Sequence, residues 1–201
     1  VDVRVVLPLY KKTKEKFEQQ LEFVDKTTVS LSWRNQYCGI YKIENNGVIY
    51  YFIDNEYYFK RDSIYGDFDD AERFAFFSKA VLDIMPIIDF YPDIMHTNDW
   101  QSAMSVVYLK RKYCLKPYYR DIKTIYTIHN IDYQGIYSMA ILGDVFGLDG
   151  FGDRDIVEYN GCINLTKGAI VCTDKISTVS QRYADEIKTP FYSSGLHYVL
   201  N

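Results

Sequence analysis

Residues 93–113 read "DIMHTNDWQSAMSVVYLKRKY". The first six, "DIMHTN", pass from apolar to polar and read as a short strand. The remainder, "WQSAMSVVYLKRKY", keeps helical spacing. A strand that runs straight into a helix predicts a βα unit. The same rhythm continues towards the C-terminus. "KTIYTIHN" (123–130) leads through a long loop to a helix predicted over "VEYNGCINLTKGAIVC" (157–172). "KISTVS" (175–180) leads to a helix over "QRYADEI" (181–187). Strands alternating with helices predict an α/β fold with a Rossmann-like parallel sheet and flanking helices.

Towards the N-terminus, "DDAERFAFFSKAVLDIM" (69–85) is the clearest helix. Ala71, Phe74, Ala75, Ser78, Val81, Leu82 and Met85 form one apolar stripe. Asp69 followed by Glu72 resembles a capping box, and Pro86 stops the helix. "CGIYKIENNGVIYYFID" (38–54) places Asn46-Gly47 between two β-branched and aromatic runs, which predicts an antiparallel hairpin excursion. "VRVVLPLY" (3–10) is too apolar to alternate, so a strand buried on both faces is expected, ending at Pro8. Lys, Glu and Gln dominate residues 11–20, a solvated and helical stretch.

Composition narrows the classes. The chain has 201 residues, 48% hydrophobic and 25% charged, and is read as one domain. Its net charge of −4 advertises no nucleic-acid or anionic-membrane partner. No apolar run reaches the ~18 residues of a membrane span. Cys38, Cys114, Cys162 and Cys172 are scattered, with no C-x-x-C pair, which argues against a zinc site and fits a reducing, cytoplasmic setting. The 20 Tyr and 12 Phe fit either an aromatic core or aromatic faces for sugar rings. The chain begins inside an apolar run and stops at "HYVLN", so a piece of a longer protein is expected.

Polar groups gather at the strand ends. His96, Asn98, Asp99 and Trp100 close the first of the three strands. His129, Asn130 and Tyr133 close the second, and Thr178 and Ser180 the third. In open parallel sheets ligands bind beyond the carboxyl ends of the strands, so the first two clusters should lie side by side at a site. Each residue also has a plain structural reading. Asp99 can cap the helix that follows, Trp100 can fill the core, and His96 can be a hydrogen-bonded interior imidazole. Asp, Asn and His suit sugar hydroxyls: a carboxylate accepts, an amide both donates and accepts, and an imidazole can donate or stabilise partial charge. His96, Asp99 and His129 lack tight metal-ligand spacing. No Walker A loop, G-x-S-x-G elbow or G-x-G-x-x-G is present.

These stretches together are familiar. "RVVLPLY", "YYFIDNEYYF", "YGDFDDAERFAFFSKAVL", "PDIMHTNDWQSA", "TIHNIDYQGI", "EYNG" and "ISTVSQRYADEI" follow one another as in bacterial glycogen synthases and plant starch synthases. The resemblance covers essentially the whole chain. It implies a retaining glycosyltransferase of the GT-B arrangement that moves glucose from ADP-glucose to the non-reducing end of an α-1,4-glucan such as glycogen, with no metal and no cofactor. It implies that residues 1–201 are a single truncated, acceptor-side N-terminal domain. The family's first strand, its K-T-G-G-L loop and helix, and its C-terminal nucleotide-binding domain would then be absent. Such a piece is expected to be inactive by itself and prone to self-association through unpaired edges.

By position, the resemblance makes His129 the catalytic histidine beside the transferred glucose. It makes Asp99, Trp100 and Asn130 sugar-site residues, Tyr133 and Gln134 members of the same loop, and Tyr65 an acceptor-side tyrosine. Asn160, in "EYNG", matches a motif position without an assigned role. Gln181 departs from the family's proline in "T-V-S-P". Two other readings stand beside this one: a related GT-B enzyme using another nucleotide-sugar, and a carbohydrate-binding module without catalysis.

Overall fold

A computed structural model describes all of residues 1–201. It is a mixed α/β structure, and its chain divides into two compact units, Val1–Phe90 and Tyr91–Asn201.

The first unit contains β1 (Arg4–Pro8), α1 (Lys11–Phe17), β2 (Glu22–Leu31), β3 (Arg34–Asn45), β4 (Val48–Asp54), α2 (Glu56–Phe59) and α3 (Asp70–Asp83). Its sheet has the order β1-β4-β3-β2, with β1 parallel to β4 and the other pairs antiparallel. The hairpin lies where the sequence places it. Asn45 faces Val48, and Asn46 (φ 51°) and Gly47 (φ 76°) take the left-handed turn that Asn-Gly favours. Helix α3 packs on β2 and β4 over a core that includes Val29, Ile40, Ile53, Phe74 and Phe76.

Three details differ from expectation. Burial on α3 is not confined to one stripe: Phe76, Phe77 and Ala80 are buried, while Val81 is only half-buried. Asp69 stands at the N-cap but its carboxylate caps nothing. It is taken instead by Arg61, at 2.6 and 2.7 Å. A bidentate guanidinium outcompetes two backbone amides for one carboxylate. Finally, β1 is half-buried, with Leu7 exposed, because it pairs along one edge only and its apolar run is not covered on both sides.

The second unit contains β5 (Ile94–Asn98), α4 (Trp100–Tyr108), β6 (Lys123–Ile128), β7 (Ile136–Ser138), α5 (Asp153–Val157), β8 (Glu158–Tyr159), β9 (Cys162–Asn164), α6 (Leu165–Cys172), β10 (Lys175–Thr178), α7 (Gln181–Glu186) and α8 (His197–Leu200). β5, β6 and β10 form the expected parallel sheet, in the order β10-β6-β5. Met95, Thr97, Tyr126 and Ile128 are buried on one face, and β5 alternates with Ile94, His96 and Asn98 exposed. Helices α4 and α6 pack closely at Gly168, where a Cβ would meet Val157 at 2.9 Å and Val107 at 3.2 Å. The helix after β5 continues as a π turn over Leu109–Tyr113.

The helix expected over 157–172 is only half there. Glu158–Tyr159 and Cys162–Asn164 form a hairpin, β8-β9, across Asn160 (φ 52°) and Gly161 (φ 79°), and β9 also pairs with β7. Helix α6 begins only at Leu165, where the Asn164 side chain accepts the Lys167 N–H. The Asn-Gly pair overrides the apolar spacing on either side of it.

The lower end of the parallel sheet is pinned by Asp174. Its Oδ2 accepts the Thr124 N–H at 2.8 Å, the Thr124 hydroxyl at 2.9 Å and the Lys110 ammonium at 2.8 Å. These contacts fix where β10 enters alongside β6.

Candidate functional site

The upper, carboxyl end of the sheet in the second unit is built from the register of β5 on β6. Asn98 lies opposite Thr127, and the Asp99 N–H continues the ladder to the Thr127 carbonyl at 3.0 Å. The chain then turns sharply into α4. Asp99 takes φ 57°, ψ 178°, a backbone conformation that glycine tolerates and other residues adopt at a cost of about 1–3 kcal/mol. Its side chain caps nothing on α4. The turn is closed by Ser102, whose hydroxyl accepts the Asn98 N–H and donates to the Asn98 carbonyl, both at 2.7 Å.

What the strained turn does is send the Asp99 carboxylate across to the neighbouring strand. One oxygen accepts the His129 backbone N–H at 2.8 Å, and the other lies 3.0 Å from His129 Nδ1. A carboxylate only accepts, so Nδ1 carries the proton and Nε2 is the nitrogen left for other work. The imidazole is 48% exposed. An oriented, single-tautomer imidazole at a strand end is suited to hold a hydroxyl or to meet developing charge.

The loop that follows is held from three sides. Asn130 Oδ1 accepts the Asp132 N–H at 3.0 Å, closing a tight turn. The Tyr183 hydroxyl, on α7, accepts the Ile131 N–H at 2.9 Å. Gln134 is only 4% exposed, and its amide is spent on the chain. It donates to the Ile131 and Ser194 carbonyls at 2.9 and 3.0 Å and accepts from Asn164 Nδ2 at 2.6 Å. Gly135 needs its lack of side chain: at φ 65°, a Cβ would lie 2.9 Å from the Trp100 ring and 3.0 Å from Leu165.

The candidate residues therefore fall into distinct places. Asp99, His129 and Asn130 come together at the sheet end, and Tyr133 is exposed on the loop beside Asn130 in sequence. Trp100 is buried at the first turn of α4 under Gly135, with its ring 6.4 Å from that of Tyr137. Gln134 is buried within the loop. Tyr65 lies in the first unit, exposed on the loop before α3. His96 is not in the pair; its Nε2 lies 2.6 Å from the Thr127 hydroxyl, which in turn meets Ser177 at 2.5 Å. Tyr183, Asn164 and Ser102 support the site and were not singled out by sequence. Only Asn164 carried a signal, as a cap residue before an apolar helical run. No three His, Cys, Asp or Glu side chains converge as a metal site would need.

The whole chain, residues 1–201, matches the family model described as the starch synthase catalytic domain. It is 47% identical over 201 residues to a glycogen synthase of Clostridium kluyveri, covering 100% of this chain and 42% of that relative. It is 44% identical over 200 residues to a glycogen synthase of Anoxybacillus flavithermus, covering 99% of this chain and 41% of the relative. Among solved structures it is similar to the catalytic domain of starch synthase IV from Arabidopsis thaliana bound to ADP and acarbose. That match has a TM-score of 0.79 at 26% identity, over 99% of this chain and 42% of the other. The chain thus spans less than half the length of these relatives.

Proposed function

The chain belongs to the starch synthase catalytic-domain family, and from that premise we propose that it is the acceptor-side part of a cytoplasmic, ADP-glucose-dependent glycogen synthase. The full-length protein transfers glucose to the non-reducing end of an α-1,4-glucan with retention of configuration. The observation that carries this reading is the Asp99–His129 pair at the carboxyl end of the parallel sheet.

In this reading His129 is the catalytic residue. Its Nε2 faces the transferred glucose and holds a sugar hydroxyl while the anomeric carbon gains positive character. Asp99 is a positioning residue: its two oxygens are engaged by His129, so it acts on the sugar through the imidazole. Its negative charge keeps the ring electron-rich as the bond to the leaving diphosphate opens, a preorganised arrangement that needs no reorientation during the step. Asn130 and Tyr133 contact the sugar directly. Trp100 and Gln134 shape the loop from beneath, and Tyr65 contacts the acceptor glucan.

The test is initial-rate glucosyl transfer by the full-length protein onto glycogen, with ADP-glucose and UDP-glucose compared. The expected result is a strong preference for ADP-glucose. Transfer from neither donor, or a preference for UDP-glucose, would contradict the reading.

A further inference from the structure

The first unit holds a buried charge cluster that the reading above does not use. Arg73, on α3, is 0% exposed and is among the largest fully buried side chains. A buried guanidinium is tolerated only when its charge and donors are met. Here they are met by one short stretch of chain. Nε donates to the Tyr58 carbonyl at 2.8 Å and Nη2 to the Ile64 carbonyl at 3.2 Å. Nη1 donates to Asp67 at 2.8 Å and to Asp70 at 2.5 Å. The second Asp70 oxygen accepts the Gly66 N–H at 2.6 Å, and Asp67 also accepts the Ser63 hydroxyl at 3.2 Å. Arg61 closes the base by clamping Asp69.

All of this fixes the loop from Ser63 to Phe68. The loop's own side chains are the opposite of its anchor. Ile64 and Tyr65 are exposed, and Phe68 is 96% exposed. Exposed loops are ordinarily polar and mobile. An apolar, aromatic tip on a loop held by buried ions is preorganised to meet something, since ordering it on contact would cost affinity. Aromatic faces cover the apolar C–H surface of a pyranose, and a Tyr hydroxyl bonds its rim.

We propose that Arg73 and Asp70 are positioning residues that hold Tyr65 and Phe68 in place to contact the acceptor glucan. This rests on the glycogen synthase reading and deepens it. Arginine is required at 73 because only a rigid fork reaches four acceptors on both sides of the loop; lysine cannot.

The test uses the full-length protein, with transfer kinetics at varied glucan and direct calorimetric binding of maltoheptaose. Arg73→Ala could fail to fold, so the informative variant is Gly66→Ala. Gly66 has φ +102° with nothing within 4 Å of an added Cβ, so the change disturbs the loop's backbone without a clash. The expected result is a rise in glucan KM and maltoheptaose Kd of about tenfold, the cost of ordering one side chain. The kcat and the ADP-glucose KM should stay within about twofold, a split that general loss of stability would not produce. Asp70→Asn should behave alike, and Arg73→Lys should not restore the wild-type values. Tyr65→Ala should raise both constants, with no further rise when combined with Gly66→Ala. Unchanged glucan constants in folded Gly66→Ala, with Tyr65→Ala impaired, would overturn the positioning role. Unchanged maltoheptaose binding in Tyr65→Ala would overturn the loop's occupant. Neither outcome touches the donor comparison, which tests the glycogen synthase reading separately.

Discussion

Two histidines sit one strand apart in the same parallel sheet, and their surroundings differ in a way that separates structure from chemistry. His96 is inside β5, where its Nε2 meets the neutral Thr127 hydroxyl and, through it, Ser177. His129 is one residue beyond β6, where its Nδ1 meets a carboxylate that a strained turn delivers. The first arrangement ties strands together. The second orients a ring, fixes its tautomer and leaves the other nitrogen for a ligand. Position along the strand decides the role: a mid-strand side chain is bonded across the sheet, and one past the end meets the loops.

The contrast can be broken most forcefully at His129 itself. If the full-length protein transfers glucose as proposed and His129 acts on the reacting sugar, His129→Ala should lower kcat by about 10²-fold or more. His96→Ala should leave kcat within about threefold, because its ring is bonded across the sheet to Thr127 and takes no part in the Asp99–His129 pair. Equal losses in both would erase the distinction.

Asp99 sharpens the contrast further. Asp99→Asn should cost roughly tenfold in kcat through misorientation of the ring. Asp99→Gly should cost at least as much activity yet exceed Asp99→Asn in stability by about 1 kcal/mol, because glycine relieves the positive φ. Thermal melts alongside kinetics would reveal this opposition. If Asp99→Gly were the less stable of the two, the strain at this turn would be overstated.

The remaining predictions concern stability alone. Gly135→Ala should destabilise the second unit by about 2 kcal/mol, through its φ of 65° and the approach to Trp100. Thr127→Val should cost about 1 kcal/mol by cutting the link between His96 and Ser177, with little change in kcat. The smallest effect is at the other end of the sheet. The Lys110 hydrogen bond, outweighing partial burial and joined by Thr124, holds the Asp174 carboxyl down from 3.8 to about 2. A depressed carboxyl contributes stability above its unfolded value, lost as pH falls through its folded one. Asp174→Asn should therefore remove a small acid-dependent term between pH 3.8 and about 2. Because Asp174 is partly exposed, the term should shrink in high salt.

Much of this was legible in the sequence because it rests on local patterns. The βα rhythm located the three parallel strands, and Asn46-Gly47 located the first hairpin. The same dipeptide at Asn160-Gly161 is masked by apolar residues on both sides that match helical spacing, yet the two-residue turn decides the local structure. Asp99 was legible as important, but the choice between helix cap and site residue depended on a backbone φ that residue type does not encode. The roles of Tyr183, Ser194 and Asn164 around residues 131–135 arise from segments 30 to 60 positions away, as the Gln134 bonds show. The pairing of Arg73 with its loop was equally hidden, since an arginine on a helix ordinarily faces water.

The most direct test of the account is a double-mutant cycle on glucosyl transfer from ADP-glucose to glycogen, using full-length wild type, Asp99→Asn, His129→Ala and the double variant. If Asp99 acts through His129, the double variant should be no slower than His129→Ala alone. Additive losses would mean that Asp99 meets the sugar independently, and the pair would not be the working unit described here.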